Sequence, residues 1–188
     1  RGRVRPGAGG ANLRNADAWE TQRFHSAAAA ACDVADPFAV APAPSGSALD
    51  REVKDLLQEK ESSVISLLTD QEVASIGLLA EHQILNDAGI GFTNLPIPDF
   101  GILENYNDAK KLITQATRDL ENGDSMIVHC RGGIGRSSTL AAEILTQSGV
   151  SPEEAMDRIA IARGLKVPET MAQRLWVHGY ADWAGQNQ

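Results

Sequence analysis

Met126-Ile127-Val128-His129-Cys130-Arg131-Gly132-Gly133-Ile134-Gly135-Arg136-Ser137-Ser138 runs from apolar residues through a glycine-rich segment to a helix start. Its apolar opening predicts a buried strand, and the run from Thr139 predicts a helix leading away. Between them Gly132, Gly133 and Gly135 permit tight turns and lack the Cβ atoms that would keep a ligand off the backbone. The N–H groups of such a loop and the positive end of the following helix dipole converge on one point. That concavity suits an oxyanion of phosphate size. Cys130 sits at its base and Arg136 closes it, with five residues between them. A thiol held there is pushed towards thiolate, its nucleophilic form.

Outward from this loop, strands alternate with helices. Leu49, Val53, Leu56 and Leu57 predict a helix over Leu49–Lys60, and Ser63–Leu68 reads as a buried strand. Thr69 with Glu72 three residues on forms a capping-box start, and Ile76–Ala88 reads as one helical run stopped by Gly89. Phe92–Ile97 is the next strand, closed by Pro96 and Pro98. Ala109, Leu112, Ile113, Ala116 and Leu120 share one face of a helix over Glu104–Glu121. Ser125–His129 is a strand, and helices follow over Arg136–Gln147, Pro152–Arg163 and Pro168–Ala184. Ser151-Pro152 is a cap followed by proline in the first helical turn. This alternation predicts an α/β fold, a mostly parallel central sheet of four to five strands flanked by helices.

The first part of the chain reads differently. Residues 1–47 are rich in Ala, Gly, Pro and Arg and predict an irregular or partly disordered segment, with a catalytic domain over 48–188 that could start near 37. Within it, Asp17–Ala31 could form a helix, and Phe38-Ala39-Val40 a short edge strand.

At 188 residues the chain suits one domain with a real core, and 43% hydrophobic residues is ordinary for a globular protein. No apolar run approaches a membrane span, and no secretory signal is read. A formal charge of −8 argues against nucleic acid or an anionic membrane as a partner. Cys32 and Cys130 do not make a disulfide framework, which points to a reducing, cytoplasmic setting, with a Cys32–Cys130 bridge as the alternative. His25, His82 and His178 show no metal-ligand grouping, so neither metal nor cofactor is expected. A monomer is expected.

His129-Cys130, Gly133 and Arg136-Ser137 together match the pattern His-Cys-x-x-Gly-x-x-Arg-[Ser/Thr]. In this the chain resembles the cysteine-dependent protein tyrosine and dual-specificity phosphatases, in particular small enzymes of the kinase-associated-phosphatase type. The resemblance covers about Phe38 to Trp183. It extends to Val64–Leu68 with Glu72, to Leu95-Pro96-Ile97-Pro98-Asp99, and to Ala162-Arg163-Gly164 with Val167–Thr170 and Gln173. It implies hydrolysis of phosphomonoesters on phosphorylated protein side chains: phosphotyrosine, and with a shallower pocket phosphoserine or phosphothreonine.

Each residue then acquires a role. Cys130 attacks phosphorus and forms a thiophosphate ester, splitting one slow hydrolysis into two steps. Arg136 grips two phosphoryl oxygens with its planar fork, and the backbone of Arg131, Gly132, Gly133, Ile134 and Gly135 cradles the others. Ser137 donates its hydroxyl to the departing sulfur, and His129 orients the loop. Asp99, after a rigid Pro96-Ile97-Pro98 entry, is the candidate general acid, ahead of Asp87 and Asp108. The plain alternatives are a buried core cysteine at Cys130 and a turn-forming aspartate at Asp99. Gln173 either positions the attacking water or is a solvated helix residue. Arg163 and Lys166 either add positive potential at the mouth or are surface charges. A phosphate-binding module without turnover and a phosphoinositide or inositol-phosphate phosphatase are the competing functions. Against the latter, Arg131 alone is basic between Cys130 and Arg136. A basic Pro-Arg-Pro-Arg-Gly stretch usual in resembling bacterial sequences is replaced here by Ala43-Pro44-Ser45-Gly46, which bears on substrate choice rather than on the core chemistry.

Overall fold

Strand β5 (Met126–Cys130) is the middle of the sheet, and its side chains alternate between two apolar clusters. Met126, Val128 and Cys130 enter one cluster and Ile127 the other, as a strand buried on both faces requires. Its neighbours repeat the pattern. In β2 (Phe38–Pro42), Phe38 and Val40 face the first cluster, and Ala39 and Ala41 the second. In β3 (Ser63–Ser66), Ile65 faces the first and Val64 the second. Strand β4 (Gly91–Asn94) extends the parallel sheet beyond β3, and β1 (Gln22–Phe24) pairs antiparallel with β2. The order is β1-β2-β5-β3-β4. The computed structural model describes residues 22–24 and 38–187.

Helices cover both faces. Helices α4 (Tyr106–Glu121), α5 (Arg136–Gln147), α6 (Pro152–Arg163) and α7 (Met171–Gln186) close over the first cluster. Helices α1 (Leu49–Gln58), α2 (Asp70–Ile76) and α3 (Glu81–Asp87) close over the second. Residues Arg136 to Leu145 of α5 are all buried, so this helix is the centre of its layer. Ile113, Leu140 and Ile144 are wholly enclosed there, and each such side chain contributes about 2 kcal/mol relative to exposure. Among the described residues no helix is long and apolar enough to cross a membrane.

The mostly parallel α/β sheet expected from the sequence is the one the chain builds, with differences in detail. Phe38–Val40 is not an edge strand: β2 lies between β1 and β5 and is buried. Gln22–Phe24 is a strand, against the helix expected over Asp17–Ala31, whose remaining residues lie outside the described ones. The helical run to Ala88 is broken at Gly77, whose left-handed backbone (φ 76°) ends α2 before α3 begins. The β4 ladder stops at Asn94, after which the backbone N–H groups of Leu95 and Ile97 bond to Ser66 and Leu67 carbonyls. The last helix starts at Met171 rather than Pro168, because Thr170 caps it in a capping box with Gln173.

The carboxyl ends of β2, β5 and β3 come together where Pro42 pairs with Cys130 and Ser66 with His129. Ligands of open α/β sheets bind outside such strand ends. The glycine-rich loop sits there.

Candidate active site

Cys130 is the last residue of β5, and Arg136 is the first of α5, so the whole loop spans one strand end and one helix start. The N-cap of α5 is Gly135, and no side chain caps it. Its first-turn N–H groups are thus left for an anion in the cleft. The fold demands glycine at one position of the loop and crowds a second. Gly133 has φ 65°, and a Cβ there would lie 2.6 Å from the Ala41 carbonyl carbon. A Cβ on Gly135 would lie 2.8 Å from Gln173 Nε2. At Gly132 a Cβ would meet only the Ile134 side chain, at 3.6 Å, so packing does not require glycine there.

The Cys130 thiol is buried, and its Sγ lies 3.3 Å from Oγ of Ser137, the second residue of α5. The hydroxyl is in position to donate to the sulfur. His129 is also buried, but its side chain points to the opposite face of the sheet, with Nε2 3.2 Å from Glu81 Oε1 of α3. It ties the last residues of β5 to the helix layer behind and does not face the cleft. Cys130 is a free thiol; Cys32 lies outside the described residues.

Arg136 is buried, and its guanidinium is held on several sides. Nη1 and Nη2 each donate to one oxygen of Glu72 at 2.8 Å, a parallel two-bond pair. Nη1 also donates to the Ile97 carbonyl at 2.8 Å, and Nη2 to Asp99 Oδ1 at 2.9 Å. Burial opposes the guanidinium's charge, but the Glu72 hydrogen bond and the charges of Cys130, Glu72 and Asp99 outweigh it and hold its pKa above the ordinary arginine range. Glu72 responds in the opposite sense. Its bond to Arg136, helped by Thr69, pulls the carboxyl down to about 2 despite burial. Glu72 Oε2 also accepts from Thr69 N at 3.0 Å, so one carboxylate both caps α2 and clamps the arginine.

Asp99 comes to the same cleft from the other side. Gly101 N donates to Pro98 O at 2.8 Å, closing a turn in which Phe100 takes a left-handed backbone (φ 57°). A bulky residue in that region is uncommon and marks a constrained backbone. A Cβ on Gly101 would lie 2.7 Å from Pro98 O. The turn leaves Asp99 about half exposed (55%), within reach of both solvent and Arg136.

Gln173 is fully buried, which removes the solvated alternative. Its Oε1 accepts from Thr170 N at 3.1 Å, and its Nε2 donates to Gly101 O at 3.1 Å. It therefore links the start of α7 to the Asp99 turn while packing on Gly135.

These elements enclose a cleft of about 190 Å³ lined by Asp99, Phe100, Cys130, Ile134, Arg136 and Gln173, with Arg131, Gly132, Gly135 and Glu169 completing the wall. Arg131 is exposed, with Nη1 3.4 Å from Ser75 Oγ. Arg163 and Lys166 do not line the cleft. Arg163 turns inward, donating to Val40 O at 3.3 Å, and burial lowers its pKa against the pull of Cys130. Asp87 accepts from Gln83 in α3, and Asp108 lies in the first turn of α4; neither lines the cleft. His82 stacks on Phe92, His178 lies 3.6 Å from Glu153, and His25 is outside the described residues. Among the described residues, no three His, Cys, Asp or Glu side chains gather as metal ligands.

Glu72 and Glu81 were not read as site residues in the sequence. The capping-box spacing Thr69-x-x-Glu72 marked Glu72 for a local role, and nothing local marks Glu81.

Residues 36–175 match the family model described as Swiss Army Knife protein, DSP-PTPase phosphatase domain. The chain is 30% identical over 96 residues to rat cyclin-dependent kinase inhibitor 3, a stretch covering 50% of this chain and 45% of the rat protein. It is 28% identical over 108 residues to the human protein of that name, covering 56% of this chain and 45% of the human one. The chain thus matches less than half the length of these relatives. Its fold is that of kinase associated phosphatase, in a structure with the catalytic-site cysteine replaced by serine: TM-score 0.74, 20% identity, 87% of this chain and 97% of that one. PTPMT1 in complex with PI(5)P shares it as well, with TM-score 0.67, 21% identity, and coverage of 80% and 93%. At these identities the structural likeness is one of fold.

Proposed function

The chain belongs to the Swiss Army Knife family of DSP-PTPase phosphatase domains, and from that premise we propose that it hydrolyses phosphomonoesters on phosphorylated protein side chains through a cysteinyl-phosphate intermediate. The observation that carries this reading is the convergence of Cys130, Arg136 and Asp99, from a strand end, a helix start and a separate turn, on one small cleft. A core cysteine or a simple glycine turn has no use for that convergence.

In the first step Cys130 Sγ attacks phosphorus, the P–O bond to the leaving group breaks, and Asp99 protonates the departing oxygen. In the second step water attacks phosphorus, the P–S bond breaks, Asp99 takes the proton from water, and Ser137 stabilises the released thiolate by its hydroxyl at 3.3 Å. We assign to Gln173, which lines the cleft with its amide held by Thr170 and Gly101, the orienting of that water. Without phosphate, Asp99 Oδ1 occupies the Nη2 donor of Arg136. A phosphoryl oxygen entering there competes with Asp99 for it, so substrate binding itself releases the acid for its work. Glu72 keeps the guanidinium aimed throughout.

The enzyme is taken to act on phosphotyrosine and on the shorter phosphoserine and phosphothreonine, since the cleft is small and its wall has one large exposed aromatic, Phe100. Its catalytic domain is taken to begin near 37, with β2, and the free Cys130 thiol suits a monomer in the reducing cytoplasm. Cys130→Ser tests the chemistry: it should abolish hydrolysis of an aryl phosphate, and unchanged hydrolysis would refute the mechanism. Asp99→Ala should then retain phosphopeptides that the wild type turns over, and a panel of such peptides reports the side-chain preference.

A further inference from the structure

A second cavity, of about 350 Å³, opens between α4, α5 and α7, and shares no lining residue with the catalytic cleft. Lys110 and Thr114 of α4, Glu143 and Thr146 of α5 and Tyr180 of α7 border it. Space is left because, beside Tyr180, α7 presents the small residues Ala181, Ala184 and Gly185 there, and a Cβ on Gly185 would meet nothing within 4 Å. The volume is within the range of small-molecule pockets.

The chemistry of its floor is unusual. Glu143 is fully buried, and both its carboxyl oxygens have no hydrogen-bond partner among the described residues. Tyr180, 1% exposed, has its hydroxyl in the same condition. Buried polar groups are almost always paired, and those that are not call for a water, an ion or a ligand. Thr146 does not supply the bond, because its hydroxyl donates to Ala142 O at 2.8 Å within the helix. The residues at its floor thus carry three buried oxygens without a partner, on a chain whose formal charge is −8. The fitting complement is a head carrying several N–H donors and a positive charge. Lys110 at the border opposes a cation, but its ammonium is directed to Asn187 O and lies 5.9 Å from the Trp183 ring centroid.

We propose that the α4–α5–α7 cavity is a binding site for a small organic cation, an alkylammonium or alkylguanidinium, whose head group bonds to the Glu143 carboxylate and the Tyr180 hydroxyl. The titratable groups bordering the cavity are Glu143, Lys110 and Tyr180. Burial pushes the Glu143 carboxyl up to about 9, so in the empty site it is protonated at pH 7. Burial and then the Glu143 charge push Tyr180 up to about 12, so it remains a neutral hydroxyl. A bound cation draws the Glu143 proton off into solvent, and binding strengthens by about tenfold per pH unit between pH 7 and 9.

The test is calorimetric titration of the full chain with butylguanidinium and with butylammonium, in two buffers of different ionisation enthalpy, with vanadate present to occupy the catalytic loop. The expected result is saturable binding of at least one probe with release of close to one proton at pH 7. Glu143→Gln should weaken binding about 10- to 100-fold, the worth of a charged hydrogen bond, and abolish proton release. Ala184→Leu, which fills the cavity and leaves Glu143 in place, should also block binding, so the assignment does not rest on one variant folding. Absence of saturable binding by either probe at millimolar concentration, leaving a water-filled cavity, would overturn the proposal. So would binding that survives Glu143→Gln unchanged, or binding seen only when vanadate is left out.

Discussion

Replacing Glu72 by Gln keeps the shape of the side chain and removes its charge, which isolates the clamp on Arg136. The Glu72 carboxyl stands at about 2 in the folded protein against an ordinary 4.5. At 1.36 kcal/mol per pH unit that difference corresponds to about 3 kcal/mol of stability at pH 7. The carboxylate is largely buried, 13% exposed, so solvent screening takes little from this figure. A Gln oxygen can still accept from Thr69 N, so the expected loss for Glu72→Gln is about 2 kcal/mol, the scale of a hydrogen bond to a charged group. The sign with pH follows from a depressed carboxyl. The contribution is complete above the unfolded value of 4.5 and is lost as pH falls through about 2. Denaturant unfolding of wild type and variant should show a gap that narrows by more than half between pH 7 and pH 3. Arg136, no longer aimed, should lower kcat/KM for an aryl phosphate about 100-fold. Thr69→Ala is the control: it loses about 1 kcal/mol of helix capping and leaves kcat/KM near that of wild type. A gap that does not change with pH, or a kcat/KM unaffected by Glu72→Gln, would refute the clamp.

Three further outcomes are expected. Gly133→Ala forces a Cβ to within 2.6 Å of the Ala41 backbone at positive φ, and thermal denaturation should register a loss of about 3 kcal/mol, while Gly132→Ala unfolds close to the wild-type temperature. Asp99→Asn retains an acceptor for Arg136 but no proton, so turnover of substrates with poor leaving groups should fall about 10²- to 10⁴-fold, and much less with an activated aryl ester. Equal losses on both substrates would assign Asp99 to binding alone. Gln173→Ala should cost about 1 kcal/mol through the lost capping box, and rapid-quench analysis should show the cysteinyl-phosphate accumulating. A stability loss without accumulation would leave Gln173 with its structural role only.

The local steps of this fold were legible in the chain because their causes are local. Ser151 caps α6 with Pro152 in its first turn, Thr69 and Glu72 form the capping box of α2, and Met126–Cys130 is a strand buried on both faces. What was misread had distant causes. β2 is interior only because β1, an antiparallel strand on its outer side, covers it. The helical run before Gly89 read as continuous because the pattern alone does not reveal that Gly77 turns left-handed. Between the two readings of Gln173, a site residue or a solvated one, only the packing of the Asp99 turn and Gly135 on it shows that it is buried.

The same division holds at the site. The spacing from His129 to Ser137 marked the candidate nucleophile, the candidate anion cradle and the arginine, because a strand-loop-helix unit assembles them from adjacent residues. What aims them comes from distant parts of the chain. Glu72 reaches Arg136 across 64 positions of sequence, Asp99 across 37, and Glu81 meets His129 from the helix layer behind the sheet. Such pairings depend on strand order and helix placement, which parallel crossovers set and no short-range pattern encodes.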